Sequence, residues 1–243
     1  MEKLPSESKK ATNELVVEAK VQGAILGGFG GLLWIIQILN AVIFQGGLVG
    51  LGIHPRSLAG LWGILFAPFI HTGFAHLLAN TVPLLVLGFF VMLRRKRDLL
   101  TVSLLSALVG GLGTWLIAPA LSVHVGASIL IFGYLGYLLF RGVFERRLWP
   151  ILGSLIVFFL YGSALFGVLP GEVGISWQGH LFGLIGGILA ARLLRNPQRK
   201  AAAQSPGQRR RVAELGGARV RLPAAMEDTG DVDEEPSKAR RRG

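Results

Sequence analysis

"GASILIFGYLGYLLFRGVFERR", residues 126–147, opens on three small residues, runs uncharged from Ile129 to Phe140 and stops at a basic cluster. A run of that kind ended by arginine reads as a membrane helix leaving the bilayer on its positively charged side. It also places a hydroxyl, Ser128, just inside the opposite end of the helix. Serine in a membrane helix can satisfy itself on its own helix's carbonyls. Its role therefore depends on what the other apolar segments bring to the same depth.

The chain has 243 residues, 51% hydrophobic and 16% charged, and its mean hydropathy is +0.55. That balance belongs to a multi-span membrane protein rather than a soluble domain. The absence of cysteine removes disulfides, thiolate nucleophiles and Cys-based metal sites together. The net charge of +11 does not point to nucleic acid, because the basic residues sit in short clusters beside apolar runs or at the chain ends. Residues 1–22 carry mixed charge without a signal-peptide pattern and read as a cytoplasmic segment. Residues 196–243 are rich in Ala, Gly, Gln and Arg, then acidic, with no apolar period. They read as a disordered cytoplasmic tail. The domain between them is 23–195.

Six apolar segments approach the length that a bilayer core requires: 23–53, 75–93, 99–119, 127–140, 148–168 and 178–191. "RRKR" (94–97), "RGVFERR" (141–147) and "RLLRNPQRK" (192–200) follow the second, fourth and sixth, whereas the intervening loops hold only Arg56. The positive-inside rule then places both termini in the cytoplasm. The stretch "LAGLWGILFAPFIHTGF" (58–74) is too short and too broken by Pro68 to span, and reads as a re-entrant or interfacial loop. Glycine is dense in the spans, as "GGFGG" (27–31), "GGLG" (110–113) and Gly179, Gly183 and Gly187. "GGFGG" follows no strand, so helix–helix contact explains all three better than phosphate binding.

Polar side chains in spans are costly and are functional candidates by default. His76, Asn80, Ser128 and His180 stand out. Asn80, Ser128 and His180 lie 14, 13 and 12 residues from the nearest cytoplasmic arginine, roughly 18–21 Å at the helical rise. Three separate helices thus carry a polar group to one level, with His76 one turn above Asn80 on the same face. No Asp or Glu falls inside a span: Asp98 and Glu145 read as cytoplasmic and Glu172 as an outer-loop residue. A carboxylate dyad, an H-E-x-x-H metal site and a Ser-His-Asp triad therefore have no support. Serine and histidine remain, a nucleophile and its base. The Ser128 amide, in the first helical turn, is expected to lack an intrahelical acceptor. His76 and Asn80 can offer further donors to an oxyanion. With no carboxylate to orient it, His180 must rely on packing, for which Phe132 is placed as a platform, and the glycines of the sixth span allow a Ser–His hydrogen bond. His54 and His124 read as loop residues in contact with solvent. A transporter would need ionisable groups along a path through the bilayer, and the cytoplasmic half of the spans has none.

"HTGFAHLLAN" (71–80), "GAS" (126–128) and "GHLFGLIGG" (179–187), in that order on six spans, resemble the rhomboid intramembrane serine proteases over roughly 50–195. The resemblance implies an all-α bundle of six transmembrane helices with a re-entrant first loop, in a bacterial plasma membrane. It implies a dyad of Ser128 as nucleophile and His180 as base and then acid. His76, Asn80 and the Ser128 amide would form the oxyanion hole, and His71 and Gly126 would have supporting roles. The implied substrates are single-pass transmembrane proteins, cut near the outer end of their helices without metal or cofactor. The fifth span would correspond to a lateral gate. The family's usual G-x-S-G is altered, because Ile129 stands where a second glycine is common. That side chain can face the helix contact or lipid, and the departure is the one feature favouring an inactive, helix-binding member. Replacing Ile129 by glycine is expected to leave activity equal or higher.

Overall fold

The computed structural model describes residues 4–146, 148–171 and 174–195; the tail expected over 196–243 lies outside them. Helix α1 (Leu4–Val42) is continuous across residue 22. It stops eleven residues before the expected end of the first span at 53. Gln45 and Gly46 adopt positive φ (49° and 88°), a left-handed turn that a right-handed helix cannot continue through. Buried Asn40 fixes this exit: its carbonyl accepts from Gly46 N–H (2.8 Å), its Oδ1 accepts from Leu48 N–H (3.0 Å), and its amide donates to the His71 carbonyl (3.4 Å).

The loop from 43 to 73 winds through four short helical turns: Gly47–Leu51, Ala59–Trp62, α2 (Gly63–Phe66) and Ala67–Phe69. The apolar part, Ala59–Phe69, is too short to cross a membrane. The loop serves instead as a brace for the connection between α4 and α5. Ile53 and His124 form an isolated antiparallel bridge with N···O distances of 2.9 and 3.1 Å, and Gly126 N–H donates to the Ala67 carbonyl (2.8 Å).

Helices α3 (Phe74–Met92), α4 (Lys96–Ile117), α5 (Ser128–Glu145), α6 (Leu148–Tyr161) and α7 (Trp177–Leu193) complete the bundle. Among the described residues, five segments are long and apolar enough to cross a membrane: Thr12–Val42, Phe74–Met92, Lys96–Ile117, Ser128–Glu145 and Leu148–Val168. The sixth expected span, α7, has 17 residues and starts with Trp177, Gln178 and His180. It tolerates this polarity because it packs between α4 and α5 with its glycines buried. A Cβ on Gly183 or Gly187 would run into the carbonyls of Ile129 and Gly133 on α5, and one on Gly186 into α4 at Leu105. Small residues thus let α7 touch the backbone of its neighbours, the close approach expected from the sequence. The described residues form an all-helical bundle whose long first loop does not span.

At the arginine-rich end, where the sequence places Asp98 and Glu145, the two carboxylates sit in the first turn of α4 and the last turn of α5, Asp98 buried and Glu145 half-buried. Arg94 pairs with Asp98 (3.3 Å) and Glu145 (3.5 Å), Arg141 pairs with Glu145 (3.2 Å), and the Tyr137 hydroxyl donates to Asp98 (3.2 Å). Burying these charges is tolerable because each one is paired.

Candidate active site

The other end of the bundle opens into a cavity of about 860 Å³, lined among others by His76, Asn80, Ser128, Phe132 and His180. The polar groups that the sequence places at one depth on three helices therefore share one space. The cavity continues along the apolar side chains of Leu87, Leu135 and Tyr161, between α3, α5 and α6.

Ser128 is the first residue of α5. Its hydroxyl and its N–H make no hydrogen bond among the described residues, so both are available to a ligand. The Ser–His hydrogen bond expected from the sequence is not formed. Ser128 and His180 line the same cavity without it, as catalytic pairs often do before substrate draws them together.

His180 is held on two sides. Its ring stacks on Phe132, with centroids 4.0 Å apart and an interplanar angle of 10°, which is the platform expected for it. Its Nδ1 lies 2.9 Å from the Gly167 carbonyl. A carbonyl can only accept, so Nδ1 carries the proton and Nε2 keeps its lone pair. This is the tautomer a general base requires. A backbone carbonyl in the 3-10 turn after α6 (Gly162–Val168) thus orients the ring as a carboxylate could, and sequence reasoning could not find it, because a carbonyl leaves no residue-type signature.

His76 and Asn80 stand one turn apart on α3. The Asn80 amide donates one hydrogen to the His76 carbonyl (2.9 Å), leaving its second N–H for the cavity. The Thr72 hydroxyl lies 3.2 Å from His76 Nδ1; when it donates there, the proton of His76 is on Nε2. That Nε2 edge faces Gly126, where a Cβ would lie 2.8–2.9 Å from the ring, and the φ of Gly126 is +122°. Glycine is thus required at 126 twice over, for its backbone conformation and for the room His76 occupies. His71, fully buried, accepts the Ala127 N–H on Nε2 (3.2 Å) and meets the His76 ring edge-on at 5.1 Å. Burial first, and then the neighbouring His76, push its pKa down to about 4, so it stays a neutral acceptor for the loop before Ser128.

Ile129 faces neither lipid nor the cavity's polar groups. It is buried, and its side chain fills a notch on α4 where Gly110 has no Cβ: one added there would meet Cγ1 and Cδ1 of Ile129. The bulk that replaces the usual glycine is accommodated by the missing side chain opposite. His124 is a half-buried loop residue whose ring is also engaged. It lines the cavity and bonds both Ser122 and Ser176.

The Rhomboid domain family model matches residues 58–197. An uncharacterized protein of Mycobacterium tuberculosis is 43% identical over 192 residues, 75% of this chain and 79% of its own. The putative rhomboid protease YdcA of Bacillus subtilis is 34% identical over 170 residues, 67% of this chain and 82% of its own. The rhomboid protease GluP of the same organism is 34% identical over 157 residues, 62% of this chain and 30% of its own. With this match over more than half its length, and with its apolar helices, the chain belongs to the rhomboid family and is a bacterial integral membrane protein.

Proposed function

We propose that the chain is an intramembrane serine endopeptidase that cuts transmembrane segments of other membrane proteins with a Ser128–His180 dyad. The observation that carries this reading is the hydrogen bond from His180 Nδ1–H to the Gly167 carbonyl, because it leaves Nε2 as a free base in the cavity that Ser128 lines. Ser128 Oγ attacks the scissile carbonyl carbon as its proton passes to His180 Nε2. The negative oxygen that forms is met by N–H groups of Ser128, Asn80 and His76. Collapse of the tetrahedral intermediate expels the amine, which takes the proton from His180. Water, activated by the same nitrogen, then releases the acyl group. The apolar extension of the cavity between α3 and α6 suits a substrate helix entering sideways from the bilayer, with α6 as the gate. The positive-inside pattern of the basic clusters supports a site near the outer face of the plasma membrane with both termini in the cytoplasm.

The test is labelling of the detergent-purified protein by a fluorophosphonate probe. Wild type should label, and Ser128→Ala and His180→Ala should not, with thermal unfolding unchanged. Asn80→Ala should slow turnover about 10²–10³-fold, the usual effect of one oxyanion donor. A folded wild type that does not label would overturn the protease reading in favour of an inactive, helix-binding member of the family.

A further inference from the structure

A third histidine, His124, lines the same cavity, and its hydrogen bonds fix their own direction. The Ser122 hydroxyl lies 2.6 Å from the Pro119 carbonyl, which can only accept, so the single hydroxyl proton is used there. Ser122 Oγ must therefore accept from His124 Nε2–H, at 2.7 Å. In the neutral imidazole Nδ1 is then an acceptor, and Ser176 Oγ–H donates to it, also at 2.7 Å. Ser176 in turn accepts the Gly179 N–H (3.3 Å) as the N-cap of α7, and its carbonyl takes the N–H of His180 (3.0 Å). One directed chain thus runs from the first turn of α7 through Ser176, His124 and Ser122 to the Pro119 carbonyl. The backbone of His124 is independently clamped by its bridge to Ile53. Four residues after His124 comes Ser128, and four residues after Ser176 comes His180. The chain joins the loop that carries the nucleophile to the turn that carries the base.

We propose that His124 is a positioning residue for the reaction, registering α7 and its His180 against the loop that delivers Ser128; this rests on the protease reading above. The two active helices otherwise lack a polar link, since Ser128 and His180 share no hydrogen bond among the described residues. The role needs His124 neutral, because a proton on Nδ1 would face Ser176 Oγ and turn the serine's own hydrogen away. Burial holds its pKa below the ordinary imidazole value. The titratable side chains lining the same cavity are His76, His180 and Tyr161. His54 and Arg56 stand on the braced loop, and no described carboxylate lines the cavity.

The experiment compares fluorophosphonate labelling rates of the full-length protein in detergent, with thermal unfolding recorded for every variant. Removing the link by His124→Ala or Ser176→Ala should slow labelling about tenfold to a hundredfold, the scale of a small misplacement of catalytic groups. The double variant should be no slower than the worse single one, because both break the same chain. His124→Gln should recover most of the rate, since an amide can donate to Ser122 and accept from Ser176. If His124→Ala does not fold, Ser176→Ala with its intact imidazole carries the comparison. A folded His124→Ala or Ser176→Ala that labels at the wild-type rate overturns the proposal, as does a His124→Gln no faster than His124→Ala. Imidazole ¹⁵N shifts give a readout independent of activity. A protonated Nε2 and bare Nδ1 on His124 support the chain even in a protein that does not label, and the opposite tautomer refutes it whatever the enzyme does.

Discussion

Helices α5 and α6 flank the same cavity and are built in opposite ways. Two thirds (67%) of α5's apolar window is buried in the protein, against 6% of the window that covers α6 and the turn after it. In α5, eleven residues from Ile129 to Gly142 are buried, whereas α6 buries only Val157. Yet each supplies a part of the site: α5 carries Ser128, and the 3-10 turn Gly162–Val168 after α6 presents the carbonyl that orients His180. Ser128 is set in the most tightly packed span, and His180 is steadied by the turn that follows the least packed one. A segment with little buried surface can move at small cost in free energy. On the protease reading, withdrawal of α6 to admit a substrate would also free the His180 ring, and its return would restore the tautomer. Opening and activation would be one motion.

The firm side of this comparison is tested at Ile129 and Gly110. Ile129 fills the notch at Gly110, so Ile129→Gly removes a buried side chain beside Ser128 and should destabilise the protein by about 2–4 kcal/mol, with labelling slowed. This reverses the gain or neutrality that the motif alone suggests. Gly110→Val overfills the same notch and should cost about 1–3 kcal/mol while slowing labelling. Pairing it with Ile129→Ala should recover part of both losses, because the two residues share one volume. Denaturation in mixed micelles together with labelling rates decides the matter. An Ile129→Gly protein of wild-type stability would show that α5 is less tightly set than its burial indicates.

What could and could not be read beforehand follows from the same distinction between side chains and surroundings. Asn80, Ser128 and His180 were legible because a polar group in an apolar run is costly and conspicuous, and helical rise converts sequence position into depth. The glycines of α7 were legible for a related reason, since a helix that must touch its neighbours' backbones needs small residues at every turn. The acceptor on His180 was not, because it is a carbonyl brought in by an exposed helix. The seat of Ile129 was not, because its partner Gly110 is recognised only by what it lacks. The side of Asp98 and Glu145 was legible from the neighbouring arginines, but the pairing of Arg94 with Glu145 was not, because it joins residues far apart in the chain. His124 was read as explained by solvent contact because nothing in the sequence shows that its ring meets Ser122 and, 52 residues away, Ser176.

The loose side is tested at Gly167. A Cβ there would stand 3.0 Å from Phe132 and 3.2 Å from His180 Nδ1, so Gly167→Val should push the turn off the imidazole. Labelling should fall about 10²-fold, the scale of an ångström-sized misplacement. Stability should change little, since the segment has little buried surface to lose. Steady-state rates and thermal unfolding of the same preparation separate the two effects. A loss of stability as large as that of Ile129→Gly would break the comparison, because α6 would then be held as firmly as α5.

The smallest expected effect lies midway along α6, at Ser154. Its hydroxyl reaches the carbonyls of Leu138 on α5 (2.7 Å) and Pro150 on its own helix (2.9 Å), and its oxygen accepts the Gly142 N–H (3.2 Å). Among the described residues this is the polar tie between α5 and α6, and it lies on the side of Val157 away from the site. A helix tied there and unburied beyond Val157 swings about the tie, with its site end travelling farthest. Ser154→Ala should cost only about 1 kcal/mol, in the range of interhelical hydrogen bonds in membranes. The more telling readout is directional. Freed of its pivot, α6 should open more readily, so cleavage of a bulky transmembrane substrate should quicken relative to labelling by a small probe that needs no gate. Equal changes in the two rates would mean that Ser154 merely holds the helices together, and the pivot would have to lie elsewhere along α6.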